Sequence, residues 1–550
     1  MRKKVIILLT VCILILTMVL CACADKADTP TPTPNPEDDT PTTFPPHTPA
    51  ADTIDDNYRT FYQIFVGSFS DSNGDGIGDL RGIINRFDYL NNGDVNSPTS
   101  LGVQGIWLSP IFISPTYHKY DVADYYTIDP AFGTFDDLTE LIELCHERNV
   151  KIILDLVINH TSKTHPWFQA FTKAHEIGDT ESPYYDLYSY IEDRADTGGN
   201  TFVNLPNTPH FYECNFDSNM PELNFDNEDA RQKALEIAKF YLDLGIDGFR
   251  FDAIKYIYYR NTPKSVDFWK WYMGELNAYK PDCYFVGECW SGSDSEILEY
   301  VEALNCFNFS MAQAEGAVAR VVNGSKMEGF TTFVEYFVAR SKQKNPNAML
   351  IPFLSNHDMN RIAGSTPPSS GKMQMAANMY LLCSGSPVIY YGEEIGMKGS
   401  RGGETTDANR RLAMLWGDGD TVRNPIGSTY GASSQVNGSV ADQQGVVGSL
   451  YSHYCQLLTI RHTYPEIARG DYRALVYDAR SFGGFMVDYQ GGKTGIFHNA
   501  SKDEITIDLS TAKDGLGHNF TTVCVYIGKG TATLSGNTLT ISGLTSVILK

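Results

Sequence analysis

The sequence predicts an α/β protein, a (β/α)8 TIM barrel with a domain inserted after its third strand and a C-terminal antiparallel β-sandwich. Three observations lead there. Between residues 58 and 455 short apolar runs of strand length alternate with helical patterns, and eight such runs in a βαβ alternation are most simply closed into a parallel barrel. Four of the runs carry a polar cluster that sets acids beside Arg, His or Asn, at the carboxyl ends where such a barrel keeps its reactive groups. From residue 472 to 550 Thr, Val, Ile and Gly dominate, and short alternating stretches such as Thr531 to Ile541 predict antiparallel strands.

Arg2-Lys3-Lys4, an apolar run from Val5 to Leu20 and the small-residue stretch at Ala22 follow secretory order, and the run is at the short end for spanning a membrane. Ala22 directly before Cys23 resembles the lipobox of bacterial lipoproteins. That resemblance implies a signal peptide over residues 1–22, lipidation at Cys23, and an extracytoplasmic protein held to the cell membrane by its lipid anchor. Residues 23–53 are rich in Thr, Pro and Asp with almost nothing to bury, which predicts an extended tether.

The 550 residues are 42% apolar and 12% aromatic, enough for a large core and more than one domain. A formal charge of -23 argues against a nucleic-acid groove and suits an extracytoplasmic protein or a cation binder. The chain is expected to act as a monomer. Cys145, Cys214, Cys283, Cys289, Cys306, Cys383, Cys455 and Cys524 contain no CxxC pair, so buried free thiols are expected and zinc sites are not.

The first part of the barrel is expected over residues 54–160 and the second over 231–455, with strands at Phe61–Phe69, Gly105–Leu108, Lys151–Ile158, Gly245–Phe251, Cys283–Glu288, Cys306–Phe309, Met349–Leu354 and Pro387–Tyr391. Amphipathic runs such as Asp136 to Arg148 and Asp229 to Leu244 supply intervening helices. Residues 161–230 are too long for an ordinary βα loop, are rich in Tyr, Asn, Pro and Thr, and show no long periodic helix, so they predict the inserted domain. The C-terminal domain is expected over 456–550.

After the first strand, Asp71, Asn73, Asp75 and Asp79 place side-chain oxygens at i, i+2, i+4 and i+8, with a turn glycine at Gly76 and a backbone carbonyl at Ile77. This matches the first nine positions of an EF-hand-like loop, although the twelfth position is Gly82. Ca2+ is the expected occupant.

Asp252 and Glu288 are the central pair. Glycoside hydrolysis needs one carboxylate at the anomeric carbon and one protonated carboxyl for the leaving oxygen. Arg250, two residues before Asp252 on an alternating strand, is expected on the same side, pairing with it. Glu288, beside Trp290 and near other acids, has neighbours that favour the acid role. Asp358 with His357 and Asp155 with His160 supply acceptors and donors for sugar hydroxyls.

These four segments, in this order, resemble the motifs of glycoside hydrolase family 13, the α-amylase family, over roughly residues 55 to 550. The resemblance implies Asp252 as nucleophile, Glu288 as general acid/base and Asp358 as transition-state stabiliser. It also implies Arg250, Asp155, His160, His357 and Tyr120 around the sugar ring at the cleavage point. Lys255 looks like the leaving-group-side lysine of α-amylases, Tyr256 departs from the histidine usual there, and Met220 to Asn224 resembles the family's fifth motif. The substrate implied is an α-glucan, cleaved at α-1,4 bonds with retention. The alternatives are a neopullulanase-like or transglycosylating glucanotransferase and a catalytically silent glucan-binding protein.

Overall fold

The computed structural model of the protein describes residues 56–401, 407–513 and 519–550. Seven parallel strands, β1 (Phe61–Ile64), β2 (Gly105–Leu108), β3 (Lys151–Leu156), β4 (Gly248–Phe251), β5 (Tyr284–Gly287), β6 (Asn305–Cys306) and β7 (Val388–Tyr390), lie side by side in the order β6-β5-β4-β3-β2-β1-β7. The eighth position belongs to the segment around Ile351 and Phe353. It pairs in parallel with Phe307 on one side and Val388 on the other, which closes the barrel. Pro352 lies between the two pairing residues and has no N–H to donate, so this stretch forms single bridges where a full strand was expected.

Of the other seven strands only Gly105–Leu108 keeps its expected bounds, and the remaining six are shorter than the sequence predicts. The first turns after Ile64 into a 3-10 turn at Val66–Ser68, and the sixth gives way to another at Phe309–Met311. All of β1, β2, β4 and β5 are buried on both faces, as strands covered by helices must be. Gly248 opens β4 at φ 148°, and a Cβ there would stand 1.9 Å from the Tyr284 carbonyl oxygen, so only glycine lets β4 and β5 approach at this point.

The covering helices begin where their caps dictate. Helix Phe135–Glu147 starts at Thr134, whose hydroxyl accepts from the Asp137 N–H while the Asp137 carboxylate accepts from the Thr134 N–H. Leu138, Leu141, Ile142 and Cys145 form its buried stripe. Helix Glu228–Asp243 starts at Asn227, whose side chain accepts from the Asp229 and Ala230 N–H groups.

The insertion contains a three-stranded antiparallel sheet of Tyr190–Ile191, Phe211–Glu213 and Phe202–Asn204. It also contains a helix the sequence reading did not predict, Pro166–Ile177. Pro166 suits the first helical position, Phe168, Phe171, Ala174 and His175 make one buried face, and Gly178 ends the helix at φ 68°. Phe168, Phe171, Ala174 and His175 recur at helical spacing, within a stretch otherwise rich in Tyr, Asn, Pro and Thr. His160 and Glu222 pair across the base of the insertion and tie it to the end of β3.

The C-terminal strands form a five-stranded and a three-stranded antiparallel sheet. Between them lies a core that includes Leu475, Phe482, Phe497, Leu539, Ile541 and Val547. The strands begin at Asp471, and the boundary expected at residue 455 falls inside helix Leu450–Thr463. Asn378, in a barrel helix, donates from Nδ2 to the Ser546 hydroxyl at 2.9 Å and to the Ile527 carbonyl at 3.2 Å, so this domain is docked through buried polar contacts. All eight cysteines named above are free thiols, seven of them buried. The signal peptide, the tether and Cys23 lie outside the described residues. Among the described residues no helix is long and apolar enough to cross a membrane.

Candidate active site

The polar clusters meet at the carboxyl rim of the barrel. Arg250, on β4, is fully buried and is the hub. Its Nη1 donates to Asp155 Oδ1 at 2.7 Å and to Asp252 Oδ1 at 2.6 Å. Its Nη2 stands 3.1 Å from Glu288 Oε1 as an ion pair outside hydrogen-bonding geometry. Because β3, β4 and β5 are adjacent, Asp155 pairs in register with Arg250, and Glu288 follows directly on β5. One guanidinium thus bridges three carboxyl groups from three neighbouring strands.

A second set of contacts surrounds His357. Its Nε2 lies 2.7 Å from the Tyr120 hydroxyl and 2.9 Å from Asp358 Oδ2, and its ring stacks on Tyr120 at 5.2 Å between centroids. The Tyr120 hydroxyl donates to Asp155 Oδ2 at 2.8 Å, which also accepts from Trp107 Nε1 at 3.2 Å. Asp358 Oδ1 accepts from Arg411 Nη2 at 2.6 Å. His160 is buried at the edge of the site with Nε2 3.2 Å from the Tyr120 carbonyl oxygen.

Environment separates the carboxyls. Burial pushes Glu288 up to about 8, against the pull of Arg250 and helped by the nearby charges of Asp252 and Asp358. The cause is chiefly burial; the neighbouring Trp290 ring is turned onto Phe309, 5.5 Å between centroids. Burial also raises Asp358, but His357 and Arg411 outweigh it and hold this carboxyl well below the usual range. The His160 imidazole is pushed down by burial.

Beside Glu288 opens a cleft of about 360 Å³ lined by Phe216, Ala253, Lys255, Tyr256, Glu288 and Trp290. Trp290 and Phe216 are 42% and 45% exposed, so apolar ring faces are presented to whatever enters. Ala253 sits in the left-handed region at φ 50°, and its N–H donates to Glu288 Oε2 at 3.2 Å. Lys255 Nζ donates to the Trp290 carbonyl at 2.7 Å, which fixes one wall of the cleft.

Asp155, Asp252, Glu288, Asp358, Arg250, His160, His357 and Tyr120 therefore form one connected cluster at the rim, and Glu288 and Lys255 line the cleft. Sequence reasoning missed Gln63, Trp107 and Arg411. Gln63 Nε2 stands 2.7 Å from His357 Nδ1. Gln63 and Trp107 are polar or aromatic residues inside expected barrel strands, which is a usable signal. Arg411 follows a long irregular stretch with no motif around it.

The loop after β1 is folded by its own acids. Asp71 accepts from the Asn73, Gly74 and Gly76 N–H groups and from the Thr421 hydroxyl. Asn73 and Asp75 each accept from the N–H two residues on. Asp79 caps helix Leu80–Asn85 through the Gly82 N–H and also accepts from Ser72. Three carboxylates, an amide oxygen and the Ile77 carbonyl are oxygen donors of the kind Ca2+ takes, and here the side-chain oxygens accept hydrogen bonds from the protein itself. Among the described residues no three His, Cys, Asp or Glu side chains are already gathered as a metal site, so occupation requires these side chains to turn inward.

A barrel whose rim sets a buried carboxyl pushed toward its protonated form beside arginine-paired carboxylates defines an acid/base enzyme of the glycoside-processing kind. The family model for the α-amylase catalytic domain matches residues 63–470, and the chain belongs to the α-amylase family, glycoside hydrolase family 13. It is 36% identical over 460 residues to "Alpha-amylase 3" of Dictyoglomus thermophilum, covering 82% of this chain and 86% of that protein. To the 4-alpha-glucanotransferase of Thermotoga maritima it is 29% identical over 465 residues, 81% of this chain and 97% of that one. The solved structure of Eubacterium rectale Amy13B superposes with a TM-score of 0.83 at 34% identity, over 92% of this chain and 97% of that one.

Proposed function

We propose that the protein is a retaining α-glucan hydrolase that cleaves α-1,4-glucosidic bonds of starch, glycogen or maltooligosaccharides. The observation that carries this reading is the single guanidinium of Arg250 shared by Asp155, Asp252 and Glu288, with Glu288 pushed toward its protonated form by burial. In the retaining geometry the two working carboxyls stand about 5–5.5 Å apart, and a shared bridging arginine favours such a spacing over the wider inverting one.

Asp252 attacks the anomeric carbon. As that bond forms, the glycosidic bond breaks and its electron pair leaves on the departing oxygen, which takes the Glu288 proton. The resulting Glu288 carboxylate then removes a proton from water, whose oxygen displaces Asp252 and regenerates both groups. Asp358 stabilises the positive charge that develops on the sugar, and Tyr120, Asp155, His160 and His357 hold the ring at the cleavage point. The leaving portion lies in the cleft along Lys255 and Trp290.

A second reading is transfer to another sugar in place of water. The apolar faces of Phe216 and Trp290 beside Glu288 would hold an acceptor sugar, and the similarity to a 4-alpha-glucanotransferase supports it. A timed product profile on amylose, pullulan and maltotriose separates the two. Hydrolysis yields only shorter products, whereas transfer yields chains longer than maltotriose from maltotriose. Inert behaviour toward all three would overturn both readings.

Ca2+ is proposed at Asp71, Asn73, Asp75, Ile77 and Asp79, where it would hold the end of β1 through hard-oxygen coordination. Anchoring of an extracytoplasmic protein to the cell membrane through a lipidated Cys23 is proposed from the small residue before it and the tether beyond it. Mass spectrometry of the mature N-terminal peptide tests it. An acyl-bearing Cys23 is expected, and a mature terminus within residues 24–53 without acyl mass contradicts it.

A further inference from the structure

Gln63 comes from the first barrel strand, outside the four polar motifs, and it is fully buried under the site. Its Nε2 meets His357 Nδ1 at 2.7 Å. The other side of the ring faces two acceptors. Asp358 Oδ2 is a carboxylate oxygen and only accepts; the Tyr120 hydroxyl has committed its hydrogen to Asp155 Oδ2, so toward His357 it accepts as well. The Gln63 amide turns its nitrogen to the ring and leaves its buried Oε1 without a partner among the described residues, and this orientation fixes the hydrogens. The Gln63 amide donates to Nδ1, the ring proton sits on Nε2, and from there it serves Asp358 and Tyr120.

The ring is stacked on Tyr120, with Phe65 tilted beside it and Trp107 meeting it edge-on. Its main-chain carbonyl accepts from Arg411 Nε at 3.0 Å, so the amide contact chooses a tautomer for a ring whose position is already set. Besides Gln63, the charged or titratable groups facing His357 and its partners are Tyr120, Asp155, Asp358, Arg250 and Arg411.

We infer that Gln63 is a positioning residue that fixes the Nε2–H tautomer of His357 and, through it, the orientation of Asp358 and Tyr120. The inference rests on the assignment of these residues to the substrate site. A chain of oriented donors runs from β1 through His357 and Tyr120 to Asp155, and Asp155 meets Arg250 and so Asp252. An acceptor at position 63 would reverse the first link. It would demand a proton on Nδ1, leaving Nε2 either bare against the Asp358 carboxylate or part of a doubly protonated ring.

Two measurements on the full chain test this. Nitrogen-15 NMR of histidine-labelled protein, with the His357 signals assigned by their loss in His357→Gln, is expected to show Nε2 protonated and Nδ1 bare. A protonated Nδ1 overturns the inference without reference to any substrate. The second is the pH profile of kcat and KM on a maltooligosaccharide for Gln63→Glu and Gln63→Met. In Gln63→Glu the introduced carboxyl donates while protonated, as the amide does, and accepts once ionised. Its kcat is expected to fall at least about tenfold as pH rises through the pKa of that carboxyl, with KM changing less. Gln63→Met is expected to lose kcat without this added pH limb. A Gln63→Glu profile parallel to wild type would reduce Gln63 to a packing role and overturn the proposal. Absence of glucan cleavage by the wild type would instead contradict the proposed function and leave the NMR test standing.

Discussion

At the scale of single residues, Arg250 and burial divide the labour between the carboxyls. Asp252→Asn and Glu288→Gln keep shape while removing the groups proposed to attack and donate, so each is expected to lower turnover by orders of magnitude with the melting temperature little changed. Near-normal activity in either folded variant contradicts the assignment. The proton on Glu288 also predicts a pH limit. A carboxyl raised to about 8 is protonated below that pH and ionised above it, so the acid is present at neutral pH and lost as pH rises through about 8. The alkaline limb of kcat/KM is therefore expected near 8, and a limb at the ordinary range of a solvated carboxyl would mean that Glu288 is not the acid. Most of these residues were legible in the sequence, because acids, Arg and His cluster at the ends of apolar runs. Gln63 shows in the sequence only as a polar residue inside an apolar strand and Arg411 not at all, since their contacts join His357 and Asp358 to residues 294 and 53 positions away.

At the scale of elements, the strands place the site and the glycines allow them to. Gly248→Ala would force a Cβ into the Tyr284 carbonyl at a backbone angle that favours glycine, just ahead of Arg250 and Asp252. The expected cost is about 2–4 kcal/mol, measured by denaturant unfolding, with activity falling in the fraction that stays folded. Unchanged stability would show that β4 can move away from β5 at no penalty. The loop from Asp71 to Asp79 makes a separate prediction. Calcium bound only by the folded state adds about 2.7 kcal/mol when free ion is a hundredfold above its Kd. EDTA should lower the melting temperature, and Asp75→Ala should remove most of that sensitivity. A melting temperature indifferent to EDTA, in protein shown to have lost its calcium, contradicts the site. The eight strand positions could be read from apolar runs bounded by turns. Their ends could not, because Val66 and Phe309 are apolar yet lie in 3-10 turns, and Pro352 interrupts a ladder whose apolar pattern continues past it. The helix Pro166–Ile177 was readable from Phe168, Phe171, Ala174 and His175 at helical spacing, but it lies in a stretch whose Tyr, Asn, Pro and Thr content reads as irregular.

At the scale of the whole molecule, barrel, insertion and C-terminal sandwich all bear on the rim or on what supports it. The insertion supplies Phe216 to the cleft and is tied to the barrel at His160, while Asn378 and its partners join the sandwich to a barrel helix. The central claim is that Asp252 attacks and Glu288 donates within one closely bridged pair, so that the sugar leaves through two inversions. Proton NMR of the first product released from a maltooligosaccharide, recorded before mutarotation, tests this most directly. The α-anomer is expected to appear first. Release of the β-anomer first would contradict the account.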